Sequence, residues 1–323
     1  MKVLVTGGAG YVGSVVTRVL LAGGHQIRVL DSLLHGGRAL LGLYQEEGFE
    51  FRRGDVRSAH DVSRALEGRE AVVHLAAIVG DPACARQPEL ARAVNVDASL
   101  ALFDAANAAG AQRFIFGSTC SNYGRMADPT RYLTEESELR PVSLYAETKV
   151  AVERVLLQQP RDARLTTTVL RFATAFGLSP RMRFDLTVNE FTMELLTKRA
   201  VTVYGEQFWR PYVHTRDIAR AVRMVLESPP GKIAGRAFNV GDTSQNFQKG
   251  QLIELIRRQM PHEVRVERVD KSEDPRDYRV SFDKITTELG FRISCTVEDG
   301  VREIKEAIEQ GVLADFTDGG YRN

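Results

Sequence analysis

The sequence predicts an α/β protein built on a doubly wound parallel sheet, and three observations support this fold class. Short apolar or β-branched runs alternate with stretches of helical periodicity along the first half of the chain. The first such run passes through a glycine-rich turn directly into a helical stretch. The runs and helices are also spaced closely, as in consecutive βαβ units. Such units form right-handed crossovers and place helices on both faces of one sheet.

Residue patterns define the individual elements of this first half. Strands are predicted at residues 2–6, 27–30, 49–53, 71–75, 113–118 and 166–172. Helices are predicted at residues 11–22, 61–67, 88–109 and 143–158.

The regular alternation ends after Phe176, where clusters of turn-forming residues appear at 177–180 and 228–231. We expect residues 1–176 to form the sheet domain, with later segments returning to it. Residues 177–323 are expected to form mainly a smaller, interwoven α/β lobe that binds the substrate. No stretch has the composition of a flexible tether.

Composition argues against several classes of function. The 43 basic and 42 acidic residues give a formal charge of +1, so no overall field attracts nucleic acid or an anionic membrane. No apolar run approaches the roughly 20 residues that span a bilayer, and a signal-peptide pattern is absent. The 3 cysteines and 6 histidines form neither a disulfide framework nor a metal-ligand pattern. We expect a soluble, cytoplasmic protein with no metal, nucleic-acid partner or membrane partner.

The glycine-rich turn indicates a dinucleotide site. Gly7, Gly10 and Gly13 have the spacing G-x-x-G-x-x-G between a strand and a helix. Glycine lets the backbone approach a pyrophosphate, and the following helix N-terminus offers unpaired N–H groups. Asp31, at the end of the second strand, suits a ribose hydroxyl and would repel a 2′-phosphate, so NAD is favoured over NADP. The alternative is that the glycines only tighten a turn and that Asp31 caps a loop.

A second motif indicates proton transfer. Tyr145 and Lys149 are four residues apart and share one helix face. A nearby ammonium and a positive nicotinamide would stabilise a phenolate, so that a tyrosine could act as a base near neutral pH. The strand at 113–118 leads into the hydroxyls of Ser118 and Thr119, which suit the same substrate oxygen. The alternative is that Y-x-x-x-K is a surface pair.

Taken together, these motifs resemble the extended short-chain dehydrogenases/reductases, in particular the NAD-dependent epimerase/dehydratase family that acts on nucleotide sugars. The resemblance covers about residues 1–290. It is carried by residues 6–13, Asp31, 54–57, 74–77, Asn95, 118–119, 123–124, Tyr145 and Lys149. These motifs are highly specific for the family and weakly specific for its substrate.

The resemblance implies a Rossmann-type sheet and an oxidoreductase that removes hydride from a nucleotide-diphosphate sugar, most often at C4. Tyr145 would take the sugar hydroxyl proton, Thr119 would polarise that oxygen, and Lys149 would bind the nicotinamide ribose and lower the pKa of Tyr145. The implied cofactor-binding residues are Gly7, Gly10, Tyr11, Val12, Gly13, Asp31, Ser32, Asp55, Val56, Leu75, Ala76, Ala77, Ser118, Tyr145, Lys149, Phe172 and Thr174. Because the family usually dimerises through helices that lie here near 88–109 and 143–158, a homodimer is expected.

Three residues of the second half resemble the family's substrate-binding positions: Asn189, Arg210 and Arg279. The arginines would neutralise the nucleotide diphosphate, because guanidinium forks match phosphate oxygens. The alternative is that they form surface salt bridges. Weaker candidates for the same role are Arg181, Arg183 and Arg276.

Cys120 and Ser121 are the main departure from the family pattern, because 4,6-dehydratases carry Asp-Glu at these places. Without a carboxylate there, no base is evident for removing the C5 proton, which disfavours 4,6-dehydration. Cys120 could act as an acid/base thiol, as in the family's 3,5-epimerases, although we prefer a small buried residue packed beside the cofactor. Tyr123 is a candidate second acid/base or a wall of the sugar pocket.

The leading hypothesis is therefore C4 oxidation, giving a 4-epimer or a released 4-keto sugar. Ala173 and Thr174 stand where 4-epimerases commonly have Asn-Pro. The runs 179–186 and 120–124 look like a branch that contains nucleotide-heptose 4-dehydrogenases. The alternatives are a dehydratase or 3,5-epimerase that uses Cys120, or a non-catalytic NAD-sensing protein. Proteins of the latter kind often lose the tyrosine or lysine that this chain keeps.

Overall fold

The structure is a computed structural model that describes residues 1–126, 128, 131–271, 276–314, 316 and 321–322. Its strands are β1 Lys2–Thr6, β2 Gln26–Asp31, β3 Phe49–Arg53, β4 Ala71–His74, β5 Arg113–Thr119, β6 Thr166–Phe172, β7 Thr174–Phe176, β8 Ala200–Tyr204, β9 Trp209–His214, β10 Arg236–Val240, β11 Asn246–Gln248 and β12 Arg265–Val269. Its α-helices are α1 Tyr11–Ala22, α2 Ala59–Leu66, α3 Asp81–Arg86, α4 Pro88–Arg92, α5 Ala98–Ala108, α6 Leu144–Leu157, α7 Thr187–Thr197, α8 Thr215–Glu227, α9 Pro230–Ile233, α10 Lys249–Arg257, α11 Asp283–Leu289 and α12 Val297–Glu309.

Seven parallel strands form the main sheet, in the order β10-β6-β5-β4-β1-β2-β3. Helices cover both faces of this sheet. Consecutive apolar side chains of a strand therefore enter different cores. Val3 and Val5 of β1 pack into one core, whereas Leu4 packs into the other, and all three are fully buried. Strands buried on both faces are expected to read as continuous apolar runs. The predicted α/β fold class and doubly wound parallel sheet are confirmed.

The second half of the chain contributes both to this sheet and to a separate core. Strand β10 pairs with β6 at the sheet edge, with Phe238 opposite Leu170. The rest of this half supplies the strands of two small sheets, β11-β9-β7 and β12-β8, except for β7, which ends the first half. Around them, Phe176, Leu252 and Val301 belong to a core of their own. The division at residue 176 remains a prediction.

The predicted helix at 88–109 is found as one unbroken helical stretch over 88–108, but it is not α-helical throughout. The structure has α4 and α5 there, joined by the π-helical segment Ala93–Asp97. Within that segment Asn95 is buried, and its side chain hydrogen-bonds both the N–H and the carbonyl of Ile78, at 2.8 and 3.0 Å. It also donates to the Thr148 hydroxyl at 3.2 Å. The wider turn of a π-helix changes the direction of a side chain, and here it accompanies the inward placement of Asn95.

The described ranges hold neither a metal-binding cluster nor a membrane-spanning helix. Within them, no three His, Cys, Asp or Glu side chains come together in a way that could hold a metal ion. Each described helix is too short or too polar to cross a bilayer. The three cysteines are free and buried.

Candidate active site

A cavity of about 820 Å³ opens where the parallel strands end at their carboxyl edges. Asp31 and Thr119 end β2 and β5, and Gly7 and Leu75 follow β1 and β4. Ligands of open α/β sheets bind at this edge, in the crevice outside the strand ends. Every residue that the sequence predicts to bind the cofactor lines this cavity.

The glycine turn leaves no room for side chains. Gly7 has a φ of +74°, in the left-handed region that favours glycine. A Cβ on Gly13 would lie 2.0 Å from the Gly7 carbonyl oxygen, and a Cβ on Gly7 would lie 2.7 Å from the Ala76 nitrogen. Gly10 begins α1 without a side-chain cap. The turn therefore presents uncapped helix N–H groups to the cavity, an arrangement that fits the pyrophosphate of NAD.

Asp31 fits the ribose end of the cofactor. Its Oδ2 accepts the Ala9 N–H at 2.9 Å, which ties β2 to the glycine turn, and its Oδ1 accepts the Leu33 N–H at 2.8 Å. Burial raises the pKa of this carboxyl, and the two N–H donors oppose the shift. Further along the cavity, a hydrogen-bonded ion pair with Arg57 lowers the pKa of Asp55, with Nη2 and Oδ2 2.6 Å apart.

Lys149 is a buried cation at the centre of the site. Its Nζ donates to the Gly117 carbonyl at 2.9 Å and lies 4.6 Å from the centre of the Phe116 ring. Burial lowers its pKa to about 8, although the carboxylate of Glu153 opposes that shift. One turn earlier on α6, Tyr145 is partly buried, and burial raises the pKa of its phenol. Both side chains line the cavity.

Thr119 also reaches the cavity, where it ends β5. Its Oγ1 accepts the Ser121 N–H at 3.1 Å and so begins a short 3₁₀ turn, Cys120–Tyr123. The hydroxyl of Thr119 is therefore oriented by the backbone of the turn that follows it. Thr119, Tyr145 and Lys149, predicted together from the sequence, are brought to one cavity.

A buried ion pair behind these residues was not predicted. The Glu153 carboxylate accepts two hydrogen bonds from Arg171, at 3.0 and 2.7 Å, and both side chains are buried. The same carboxylate accepts from the hydroxyl of Ser118 and, at 2.7 Å, from Asn122. This network fixes the end of β5. The sequence contains one sign of this network: Glu153 lies four residues after Lys149, on the same helix face.

Cys120 and Tyr123, the two further candidates for catalysis, do not line the cavity. Cys120 is fully buried, and its Sγ lies 3.3 Å from the Arg171 carbonyl. The Tyr123 hydroxyl donates to Asn239 at 2.8 Å and accepts from Arg171 at 3.0 Å. Burial raises the pKa of both groups. Ser121 lines the cavity instead, with its Oγ 3.4 Å from the Tyr278 hydroxyl.

The two predicted substrate arginines differ in position. Arg210 lines the cavity, donates to the Trp209 carbonyl at 2.7 Å and lies over the Tyr278 ring at 5.5 Å. Arg279 is not among the lining residues. Its guanidinium contacts the rings of Tyr132 and Trp209, at 4.7 and 4.9 Å. The prediction that Arg279 faces the substrate is therefore not supported by its position.

Asn189 is a buried framework residue and does not line the cavity. Its Oδ1 accepts the Gly177 N–H at 3.0 Å, and its Nδ2 donates to the Tyr11 hydroxyl at 3.0 Å and to the Arg183 carbonyl at 2.8 Å. The Tyr11 hydroxyl in turn donates to the Gly177 carbonyl at 2.7 Å. In this structure the side chain of Asn189 bonds to the framework beside the cavity, and its predicted contact with substrate stays a prediction.

The three weaker candidates, Arg181, Arg183 and Arg276, all line the cavity. Arg183 makes a two-pronged ion pair with Asp185, at 2.9 and 2.6 Å. Arg276 pairs with Asp81 at 2.9 Å. Together with Arg210, these side chains form a cationic wall supplied by the second half of the chain, which we call the arginine wall. Sequence alone does not give the positions of these arginines, because the reach and pairing of long side chains depend on tertiary contacts.

Fold and cavity together define a Rossmann-type enzyme that uses NAD. The chain belongs to the NAD-dependent epimerase/dehydratase family, whose model matches residues 3–241.

Relatives and solved structures agree with this assignment. The chain is 29% identical to UDP-glucose 4-epimerase from Streptomyces lividans over 279 residues, covering 81% of this chain and 82% of the relative. It is 30% identical to dTDP-glucose 4,6-dehydratase from Streptomyces niveus over 318 residues, covering 95% and 92%. The structure of Thermus thermophilus UDP-glucose 4-epimerase in complex with NAD superposes with a TM-score of 0.82 at 27% identity, covering 96% of this chain and 99% of that one. The protein is an NAD-dependent enzyme of the nucleotide-sugar epimerase and dehydratase class.

Proposed function

We propose that the protein, in the cytoplasm, oxidises C4 of a nucleotide-activated sugar with bound NAD, and that it acts as a 4-epimerase. The observation that carries this proposal is that Thr119, Tyr145 and Lys149 all line the cavity. In addition, the turn that follows Thr119 contains no carboxylate. The likeness to UDP-glucose 4-epimerases over most of the chain supports it.

In this proposal the three residues have the roles that the family resemblance implies. Tyr145 takes the proton of the C4 hydroxyl, and Thr119 hydrogen-bonds the same oxygen. Lys149, buried and close to the end of β5, supplies the positive charge that favours an ionised Tyr145. When bound, NAD would accept the hydride from C4 of the sugar and bring a second positive charge to the site. For epimerisation the 4-keto sugar must then turn over, receive the hydride back on its other face and regain the proton from Tyr145.

Dehydration needs a base for the C5 proton, and the described carboxylates of the cavity are engaged elsewhere. Asp81 pairs with Arg276, and Asp185 pairs with Arg183. Asp55 pairs with Arg57, and Asp31 accepts two backbone N–H groups. The 3,5-epimerase alternative loses support as well, because the buried Cys120 thiol has a raised pKa and lies off the cavity.

A 4-dehydrogenase that releases the ketone is the second candidate. Thr174, which stands where 4-epimerases commonly carry proline, lines the cavity. The run at 179–186, which resembles nucleotide-heptose 4-dehydrogenases, contributes Arg181 and Arg183 to the same cavity. A nucleotide heptose is therefore the substrate to test first for this reaction.

The two reactions differ in their products. Holo-protein would be incubated with UDP-, dTDP-, GDP- and CDP-hexoses and with a GDP-heptose, and the products followed by NMR and by the absorbance of NADH. We expect a 4-epimer without net NADH. A 4-keto sugar with equimolar NADH would identify the dehydrogenase, and a 6-deoxy-4-keto product would contradict the proposal. No turnover of any substrate by protein that retains NAD would contradict the enzyme's assigned reaction.

The same proposal includes a homodimer formed through α5 and α6. Ala101 and Ala108 are exposed on α5, and small side chains allow two helices to approach closely. Val155 is an exposed apolar residue of α6. Light scattering should give twice the mass of one chain, and Val155→Glu should lower that mass. A mass of one chain for the unmodified protein would contradict this part of the proposal.

A further inference from the structure

Arg181 is a buried cation whose hydrogen bonding is incomplete. Only 7% of its surface is exposed, and it lines the main cavity. Its Nη2 donates to the Arg322 carbonyl at 2.9 Å, but its Nε has no hydrogen-bond partner within the described part of the chain. Burying a donor without a partner destabilises a protein. The orphaned Nε therefore points to a ligand in this cavity.

The charge of Arg181 is also poorly compensated. Burial lowers its pKa to about 10, and Arg183 contributes in the same direction, while Asp185 opposes the shift. Asp185 is already held by Arg183 through both of its oxygens. Two buried guanidiniums thus share one carboxylate. A bound anion would compensate the excess positive charge.

The backbone next to Arg181 is attached to the start of α1. Ser179 donates through its Oγ to the Tyr11 carbonyl at 2.7 Å and lies 3.1 Å from the Ser14 hydroxyl. The N–H of Arg181 donates to the same Ser179 Oγ at 3.3 Å. Arg181 therefore lies close to the helix N-terminus that follows the glycine turn.

The charge of Arg181 also acts on the loop that follows Asp31. His35 in that loop lines the cavity. Burial lowers the pKa of His35, and the charges of Arg181 and Arg183 lower it further. Arg181 therefore lies near the start of α1 and within electrostatic range of the loop that follows Asp31.

We propose that Arg181 binds the pyrophosphate of NAD beside the start of α1, with its Nε donating to a phosphate oxygen. A guanidinium presents its donors in a planar fork that matches phosphate geometry. The inference depends on the use of NAD and is independent of the proposed C4 chemistry. The nucleotide diphosphate of the substrate offers the same chemistry, so the experiment must separate the two pyrophosphates.

The test compares Arg181→Gln with Arg181→Lys and with a matched control, Arg302→Gln. Arg302 is an exposed arginine of α12 that pairs with Asp299 and does not line the cavity. Holo-protein would exchange its bound NAD for isotopically labelled NAD, and the exchange rate would be measured. We expect exchange to become about 10- to 100-fold faster in Arg181→Gln, the effect of losing one charged hydrogen bond. Arg181→Lys should show a smaller increase and Arg302→Gln none.

A second arm measures the other pyrophosphate. UDP, dTDP and GDP would each be titrated into holo-protein at saturating NAD, and the affinity of the nucleotide that binds should change less than about twofold in Arg181→Gln. Weaker nucleotide binding with unchanged NAD exchange would overturn the proposal and place Arg181 in the substrate site. Unchanged NAD exchange in both Arg181 variants would overturn it too. If Arg181→Gln does not fold, the exchange rate of Arg181→Lys decides.

Thermal unfolding separates this role from a structural one. If Arg181 binds NAD, the rise in Tm that added NAD produces should shrink in Arg181→Gln. An equal fall in Tm with and without added NAD would indicate a structural residue and would overturn the proposal.

Discussion

The two walls of the cavity are built in different ways. The wall on the parallel sheet uses backbone groups and short side chains at strand ends, such as Gly7, Asp31 and Thr119. The arginine wall uses long side chains: Arg183 is held by a carboxylate, and Arg210 lies over an aromatic ring. Strand ends and helix N-termini vary little in position, whereas arginine side chains can adapt. On the proposed function, the sheet wall would set the positions of the reacting atoms and the arginine wall would bind the anionic groups.

The largest effect should come from the sheet wall. Replacing Tyr145 with Phe removes the proposed base and should lower kcat about 10²- to 10⁴-fold while NAD remains bound. The matched control is Tyr123→Phe, because Tyr123 is buried in the Arg171 network and does not line the cavity. It should keep kcat within a few fold. Steady-state kinetics of both variants check this, and an equal loss in the two would contradict the assigned role of Tyr145.

The second effect tests the fit of the backbone to the cofactor. Gly13→Ala places a methyl group 2.0 Å from the Gly7 carbonyl, so the turn must shift. NAD exchange should become at least about tenfold faster, and overpacking should lower the free energy of unfolding by about 1–3 kcal/mol. Gly231→Ala is the control, because a Cβ there meets no atom within 4 Å. Retention of NAD by Gly13→Ala at the rate of the unmodified protein would contradict the proposed contact.

The third effect concerns the arginine wall. Arg210→Gln should raise KM about 10- to 100-fold through the loss of a charged contact with the nucleotide diphosphate, with kcat within a few fold. Arg279→Gln should change KM less, because Arg279 lies between Tyr132 and Trp209 and outside the cavity. The two KM values decide between them. A larger change in Arg279→Gln would reverse the assignment.

The smallest effect is a pH dependence centred on Lys149. Its pKa of about 8 lies below the ordinary value of 10.5, so Lys149 loses its proton as the pH rises through 8, and kcat should fall there. The unfolded chain binds this proton more tightly than the folded protein does, so stability should rise between about pH 8 and 10.5. Opposite slopes of kcat and of the unfolding free energy are expected. Lys149→Met should remove this rise in stability, and a kcat that stays level to pH 10 would contradict the role.

Much of the sheet wall was predictable from sequence because its rules are local. The glycine spacing, the strand periodicity and the i, i+4 relation of Tyr145 and Lys149 all act within a few residues. Strands β1, β3 and β6 and helix α1 therefore have the predicted bounds. For the same reason every predicted cofactor residue lines the cavity.

The sequence did not show the direction in which individual side chains point, because that direction depends on the three-dimensional fold. One step along a helix rotates a side chain by about 100°, and in the 3₁₀ turn a comparable step brings Ser121 to the cavity and Cys120 to Arg171. The inward position of Asn95 likewise depends on Ile78 and Thr148, which are distant in sequence. The arginine wall depends on such contacts throughout, so the sequence could not show which of its arginines line the cavity.

Strand β10 at the edge of the main sheet has a consequence for how the protein is made. Residues 236–240 pair with β6, which ends at Phe172, far earlier in the chain. During synthesis the outer edge of β6 stays open until this strand has left the ribosome, and an open edge invites pairing with other chains. Because β10 lies within residues 177–323 and belongs to the main sheet, this part of the chain cannot be exchanged between enzymes by a simple cut and fusion after residue 176. Recombination that changes substrate in this fold must preserve the returning strand.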